Sequence, residues 1–253
     1  MHPFVAEFLG TFVLILFGNG VNANVLLART KGHDSGWLVI AAGWGLAVFI
    51  GAFCCKDFSG AHINPAVTVA MTVSGELDLV SAGGYIVAQT LGATVAAVLV
   101  YLFYLQHFRV TKDPDAIMGC FCTSPSIRSL PHNFFCEMIG TFALILPIFL
   151  MVDPSLVQGD APSGSDPVMG LGSIGLLPVG LLVFAIGLSL GGTTGYAINP
   201  ARDLAPRIVH ALLPIRGKRD SDWTYSWVPV AGPIVGAILA ALVYRLLPML
   251  QLT

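Results

Sequence analysis

The sequence predicts an all-α membrane protein: six transmembrane helices plus two half-helices, arranged as an inverted repeat. Three observations carry this expectation. Of 253 residues, 55% are hydrophobic and only 10% are charged, whereas soluble domains carry about 25% charged residues. The missing charges are absent from long apolar stretches. Finally, the triplet Asn-Pro-Ala occurs twice, in HINPAV at 62–67 and in YAINPAR at 196–202, each time ahead of an apolar stretch too short to cross a bilayer. The formal net charge of −2 offers no basic surface, so no nucleic-acid partner is expected.

Six apolar stretches can be marked: about Phe4 to Leu26, Trp37 to Phe53, Leu79 to Leu105, Phe134 to Val152, Leu171 to Leu190 and Trp227 to Leu247. Each is long enough to cross a hydrocarbon core of about 30 Å, so the lipid bilayer is the expected surrounding. The first lacks a basic segment ahead of it, and its EFLGTFVLI returns later in altered form, so it reads as structure rather than as a cleaved leader.

That return belongs to an internal duplication. EFLGTFVLI at 7–15 parallels EMIGTFALI at 137–145, and GAHINPAVT at 60–68 parallels GYAINPARD at 195–203. Glu7 precedes Asn64 by 57 positions and Glu137 precedes Asn199 by 62. Three spans per half is an odd number, so the second half starts on the opposite face and the halves are inverted. The expected division is a first repeat at 1–108, a polar extracellular linker at 109–132 and a second repeat at 133–253. Lysines and arginines should favour the cytoplasmic side. With the N-terminus inside, only Lys56 and Arg245 lie there, against Arg29, Lys31, Arg109, Lys112, Arg128, Arg216, Lys218 and Arg219 outside. Arg202 and Arg207 are left out of that count as pore candidates.

Asparagine caps helix N-termini through its side-chain oxygen, and proline suits the first helical position because its missing N–H costs nothing there. Asn64-Pro65-Ala66 and Asn199-Pro200-Ala201 therefore each read as the start of a half-helix, entered through glycine-rich, non-helical chain. Such chain is tolerated at membrane depth only inside protein or along a wet cavity. Inversion brings the two N-termini together near the midplane, each carrying about half a positive charge. With the amides of Asn64 and Asn199 as donors, such a site admits neutral oxygen-bearing solutes and repels cations and protons.

On these residues, SGAHINPAVT and GYAINPARDLAPR above all, the chain closely resembles the aquaporin superfamily over essentially its whole length. Asp203 directly after Arg202, and the insertion around PIRGKRDSDWTY, resemble its glycerol-facilitator branch. The resemblance implies one pore per subunit, a homotetramer, a multi-pass protein of the cell membrane and both termini in the cytoplasm, the last against the charge count. It implies a passive channel for glycerol and similar small neutral solutes, with water, that excludes ions and protons; no enzyme, cofactor or metal is implied. Carried over residue by residue, the narrow filter is Trp44, Gly187, Tyr196 and Arg202, with Tyr196 where glycerol facilitators often have Phe. The implied carbonyl ladder is Gly60, Ala61, His62 and Ile63 with Gly195, Tyr196, Ala197 and Ile198. The implied loop anchors are Glu7 and Glu137.

Other readings are weaker. An ion-coupled carrier also uses inverted repeats, but needs a midplane carboxylate, and Asp203 and the paired glutamates are the candidates. The pattern GLSLG at 187–191 matches a serine-nucleophile motif, yet it ends an apolar span where no strand-to-helix turn is expected. His62 reads as pore wall rather than as a catalytic group. The five cysteines lack ligand spacing and read as unpaired thiols.

Overall fold

The computed structural model describes residues 1–151, 155–157 and 168–250, with side chains for 1–151 and 171–247. Helix α1 (Pro3–Leu26) is followed by α2 (Trp37–Phe53) and a single turn, α3 (Lys56–Ser59). A loop then enters the half-helix α4 (Pro65–Ser74), and α5 (Leu79–Phe103) crosses back. Two short helices, α6 (Leu105–Val110) and α7 (Pro114–Gly119), occupy the linker. The second repeat holds α8 (Leu130–Leu150), strands β1 (Ser155–Val157) and β2 (Val168–Gly170), a 3-10 turn at Gly172–Leu176 leading into α9 (Leu177–Ser189), the half-helix α10 (Pro200–Leu212) and α11 (Val228–Leu250).

Among the described residues, five helical segments are long and apolar enough to span a membrane, and α2, with 17 residues, is a shorter apolar sixth. At 1.5 Å per residue α2 is about 26 Å long, close to the thickness of a hydrocarbon core. The large apolar side chains left exposed, such as Leu46, Val87, Phe103, Leu181 and Leu242, lie on these helices, where lipid is their natural solvent. The spans sit within about four residues of their expected bounds except α9, which begins at Leu177 rather than Leu171 because a 3-10 turn precedes it; Val152, the expected end of the fourth span, lies outside the described residues. Among the described residues, one departure from an all-helical chain is the antiparallel pair of β1 and β2, with Leu156 opposite Met169. Three-residue strands are too short for alternation to show in a sequence.

The inverted repeat is visible in the packing. Helix α1 lies along α5, and α8 lies along α11 in the same way. Gly92 of α5 leaves no room for a Cβ against the Phe8 carbonyl, and Gly236 of α11 leaves none against the Met138 carbonyl; Phe8 and Met138 follow the paired glutamates. These glycines let the backbones approach closely, the usual device of helix pairs in lipid. The half-helices cross over: α4 packs on α11 and α10 on α5. Each repeat thus shelters the short helix of the other.

The linker, expected as a polar segment, carries a buried apolar core. Ile117, Met118, Cys120, Phe121 and Cys122 are buried, in a cluster with Leu27, Ala97, Phe108 and Val209. The run AIMGCFC within polar sequence is the cause, since its apolar side chains are removed from water by folding back over α1, α5 and α10. The five cysteines are free thiols.

Candidate pore and constriction

Both loops reach the middle of the protein in the same unusual conformation. Gly60, Ala61 and Ile63 have φ of 83°, 58° and 43°; Gly195, Tyr196 and Ile198, at equivalent positions, have 80°, 39° and 43°. A β-branched residue in this left-handed region costs about 1–3 kcal/mol and persists only where the surroundings impose it. The glutamates do so. Glu7 accepts from the N–H groups of His62 (2.9 Å) and Ile63 (2.6 Å), and Glu137 from those of Ala197 (3.0 Å) and Ile198 (2.9 Å). Ser59 Oγ (2.6 Å) and Gln89 Nε2 (2.7 Å) also donate to Glu7.

Each asparagine does two things. Asn64 Oδ1 accepts from Ala66 N–H at 2.9 Å, and Asn199 Oδ1 from Ala201 (3.0 Å) and Arg202 (3.2 Å), which caps both half-helices on their Pro65 and Pro200 starts. Their amides then cross the midplane: Asn64 Nδ2 donates to Ile198 O at 2.9 Å, and Asn199 Nδ2 to Ile63 O at 3.0 Å. One amide hydrogen on each asparagine is so engaged, and the second is left over. The Ile63 and Ile198 carbonyls are correspondingly half-occupied, a refinement of the eight-carbonyl ladder expected from the sequence.

A cavity runs past these groups. Its lining includes Gly60, Ala61, His62 and Ile63 from the first loop, Tyr196, Ala197 and Ile198 from the second, and the polar side chains of Asn64, Asn199 and Arg202. Apolar residues line it as well, among them Leu14, Val48, Val67, Leu144, Ile148 and Val183. Trp44 and Tyr196 add aromatic surface, and the Arg202 guanidinium carbon lies 4.0 Å from the Trp44 ring centroid. Arg202 Nη1 also donates to Phe121 O at 3.4 Å. His62 Nδ1 is 3.2 Å from Thr68 Oγ1, and its ring meets Tyr85 edge-on.

Two expected pore residues stand elsewhere. Gly187 is behind Tyr196 and off the cavity wall: a methyl there would meet Tyr196 Cζ and Oη at 2.9 Å. Its carbonyl accepts from Trp37 Nε1 at 2.8 Å. The glycine makes room for the tyrosine ring, and the ring makes the wall. Arg207, set aside with Arg202 as a pore candidate, is fully buried away from the cavity. It pairs with Asp203 (2.8 Å) and donates to the carbonyls of Ser221 (2.7 Å) and Thr123 (2.8 Å). Asp203 in turn accepts from Thr123 N and Oγ1, both at 2.7 Å. Asp203 thus ties α10 to the linker, and Arg207 ties it to the loop before α11. Gly195 and the Pro-Ala pairs shape the backbone without lining the cavity.

The family model described as "Major intrinsic protein" matches residues 1–244. The chain is a major intrinsic protein. It is 51% identical over 245 residues to "Probable glycerol uptake facilitator protein" of Thermotoga maritima, covering 97% of this chain and 99% of that one. It is 40% identical over 245 residues to "D/L-lactic acid transporter" of Lactiplantibacillus plantarum, covering 95% of each. Among solved structures, the aquaglyceroporin from Plasmodium falciparum superposes with a TM-score of 0.81 at 34% identity, covering 99% of this chain and 98% of that one. These are membrane channels and facilitators rather than enzymes. In this major intrinsic protein, sequence reasoning passed over Asn22, Gln89, Phe121, Thr123 and Ser221. Gln89 carried a signal, a lone amide within an apolar span. The Phe121 and Ser221 contacts are made by backbone carbonyls, which no side-chain pattern announces.

Proposed function

We propose that the protein is a passive channel of the cell membrane for glycerol and similar small neutral solutes, conducting water as well and excluding ions and protons. The observation that carries this reading is a cavity whose lining joins loop backbone and polar side chains to aliphatic ones. A polyol has carbons on one side and hydroxyls on the other. Removing a hydroxyl from water without a replacement costs about 1–3 kcal/mol. The loop carbonyls, the spare Asn64 and Asn199 hydrogens and the Arg202 guanidinium offer replacements, and the aliphatic residues of the lining suit the carbons. Trp44, Tyr196 and Arg202 are the constriction in this reading, with Gly187 as its backing. The half-helix N-termini converge where the asparagine amides meet, and together with Arg202 they oppose cations and protons. The names of the relatives, glycerol uptake facilitators among them, agree.

The carboxylates that an ion-coupled carrier would need are engaged by loop N–H groups at Glu7 and Glu137 and by Arg207 and Thr123 at Asp203, which favours a channel. Six spans put both termini on one face; we read that face as cytoplasmic, the linker as extracellular and the assembly as a homotetramer, following the family. Stopped-flow light scattering on proteoliposomes tests the function. After an osmotic step in glycerol, vesicles holding the protein should shrink and then reswell much faster than empty ones, with reswelling absent in sucrose. Reswelling at the rate of empty vesicles would overturn the assignment.

A further inference from the structure

The Trp44 indole is buried, 4% exposed, and its N–H needs an acceptor there. Asn22 supplies it: Trp44 Nε1 donates to Asn22 Oδ1 at 3.0 Å. Asn22 is itself held, because its Nδ2 donates to Gly119 O at 2.8 Å. One helical turn earlier on α1, Gly18 lies flat against the six-membered part of the same indole, so close that any Cβ there would collide with it. Helix α1 therefore cradles Trp44 at two points, a bare backbone and an amide. Two residues beyond Gly119, the Phe121 carbonyl accepts from Arg202, and Arg202 sits over the Trp44 ring. The contacts close a circuit from the linker segment through Asn22, Trp44 and Arg202 back to the linker.

We propose that Asn22 is a positioning residue for solute selection: by fixing the Trp44 indole N–H to the Gly119–Phe121 segment, it sets the gap between indole and guanidinium and hence the width of polyol that passes. Asn22 is not on the cavity wall and touches no solute; it acts through Trp44. This rests on the channel reading above. A released indole could rotate about its side-chain bonds, and the gap would no longer have one width. Selectivity between solutes should then change more than the flux of the smallest one.

The test is a double-mutant cycle read as a permeability ratio. Glycerol and ribitol fluxes are measured on the same proteoliposomes for wild type, Asn22→Leu, Trp44→Phe and the double variant, with folding checked by gel filtration and thermal unfolding. Phenylalanine keeps an aromatic face for Arg202 but has no N–H. Asn22→Leu should shift the glycerol-to-ribitol ratio about fivefold or more when Trp44 is present, and leave it unchanged when Phe occupies position 44. Equal shifts in both backgrounds, or none in folded Asn22→Leu protein, would overturn the inference while leaving the channel reading intact. Wild-type vesicles without glycerol flux would overturn both. Asn22→Ala, which cannot overpack, repeats the cycle if the leucine variant does not assemble. Failure of both to assemble while Trp44→Phe folds would make Asn22 a determinant of folding and overturn the positioning role.

Discussion

A glycine backing a tyrosine is a small feature with a measurable effect. Gly187 has no side chain, and Tyr196 uses the room, its ring also meeting Trp37 edge-on at 5.7 Å between centroids. In Gly187→His the new Cβ already stands 2.9 Å from the phenol and 3.1 Å from Ala41 Cβ. The imidazole must push Tyr196 toward Trp44 and Arg202, into the space a carbon backbone needs. Glycerol permeability should fall by at least about tenfold, which takes only about 1.4 kcal/mol of added barrier. Water permeability should fall less. Both fluxes are to be measured on the same vesicles and normalised to inserted protein. Unchanged glycerol flux would remove Gly187 from the constriction altogether, and proportional loss of both would indicate misfolding. The site's polar anchors were legible at this scale because repetition marked them: Glu7 and Glu137 stand out as matched charges in apolar helices. The stacking of Tyr196 on Gly187 was not legible, since it depends on which side of a left-handed loop the ring leaves.

At the scale of elements, the loops hold a strained backbone and the surrounding helices supply the acceptors that keep it there. Glu137→Ala withdraws the acceptor from the buried N–H groups of Ala197 and Ile198. Leaving such a donor unsatisfied costs about 1–3 kcal/mol, so the second loop should relax and glycerol flux should drop about tenfold in protein that still assembles. Purified Glu137→Ala protein conducting like wild type would refute the anchor role. Glu7→Ala also removes an acceptor from Gln89 and Ser59 and should damage assembly more. Outside the membrane, Arg128 of the linker grips Asp222 with bonds of 2.9 and 2.6 Å. The Arg128 guanidinium holds the Asp222 carboxyl below the ordinary carboxylate range. A carboxyl depressed on folding contributes stability above its unfolded value, about 3.9, and loses it as pH falls through the lower folded value. Asp222→Asn should therefore lower the melting temperature by about 1–3 °C at pH 7, since Arg128 is partly exposed and such pairs are worth at most about 1 kcal/mol. The gap to wild type should be constant down to about pH 5 and close below about pH 4. A gap that does not narrow at all between pH 5 and pH 3 would assign the effect to something other than this charge pair.

At the scale of the whole molecule, the six spans and both half-helices were legible because their signals are local: unbroken apolar runs, and Asn-Pro pairs that cap and start a helix within two residues. The crossed packing was legible only through the duplication. What stayed hidden spans long separations. Asn22 meets Gly119 across 97 positions and Thr123 meets Asp203 across 80, and no period or motif connects such partners. The linker misled for the opposite reason: its charged and proline-rich flanks outweighed a short apolar core. The exchange of half-helices bears on how the chain is made. Synthesis delivers α4 long before α11, the helix it packs on, and Asn64 long before Ile198. A ten-residue helix entered by non-helical backbone has no stable place in lipid by itself. The half-helix α4 therefore lacks its main packing partner until the last span is inserted, so the pore closes late. Ribosome-arrested chains ending near residue 225 should leave a cysteine placed at the buried Ala70 open to a membrane-impermeant maleimide, and chains released at full length should protect it. Protection already present in the arrested chain would mean that α4 finds its place without α11.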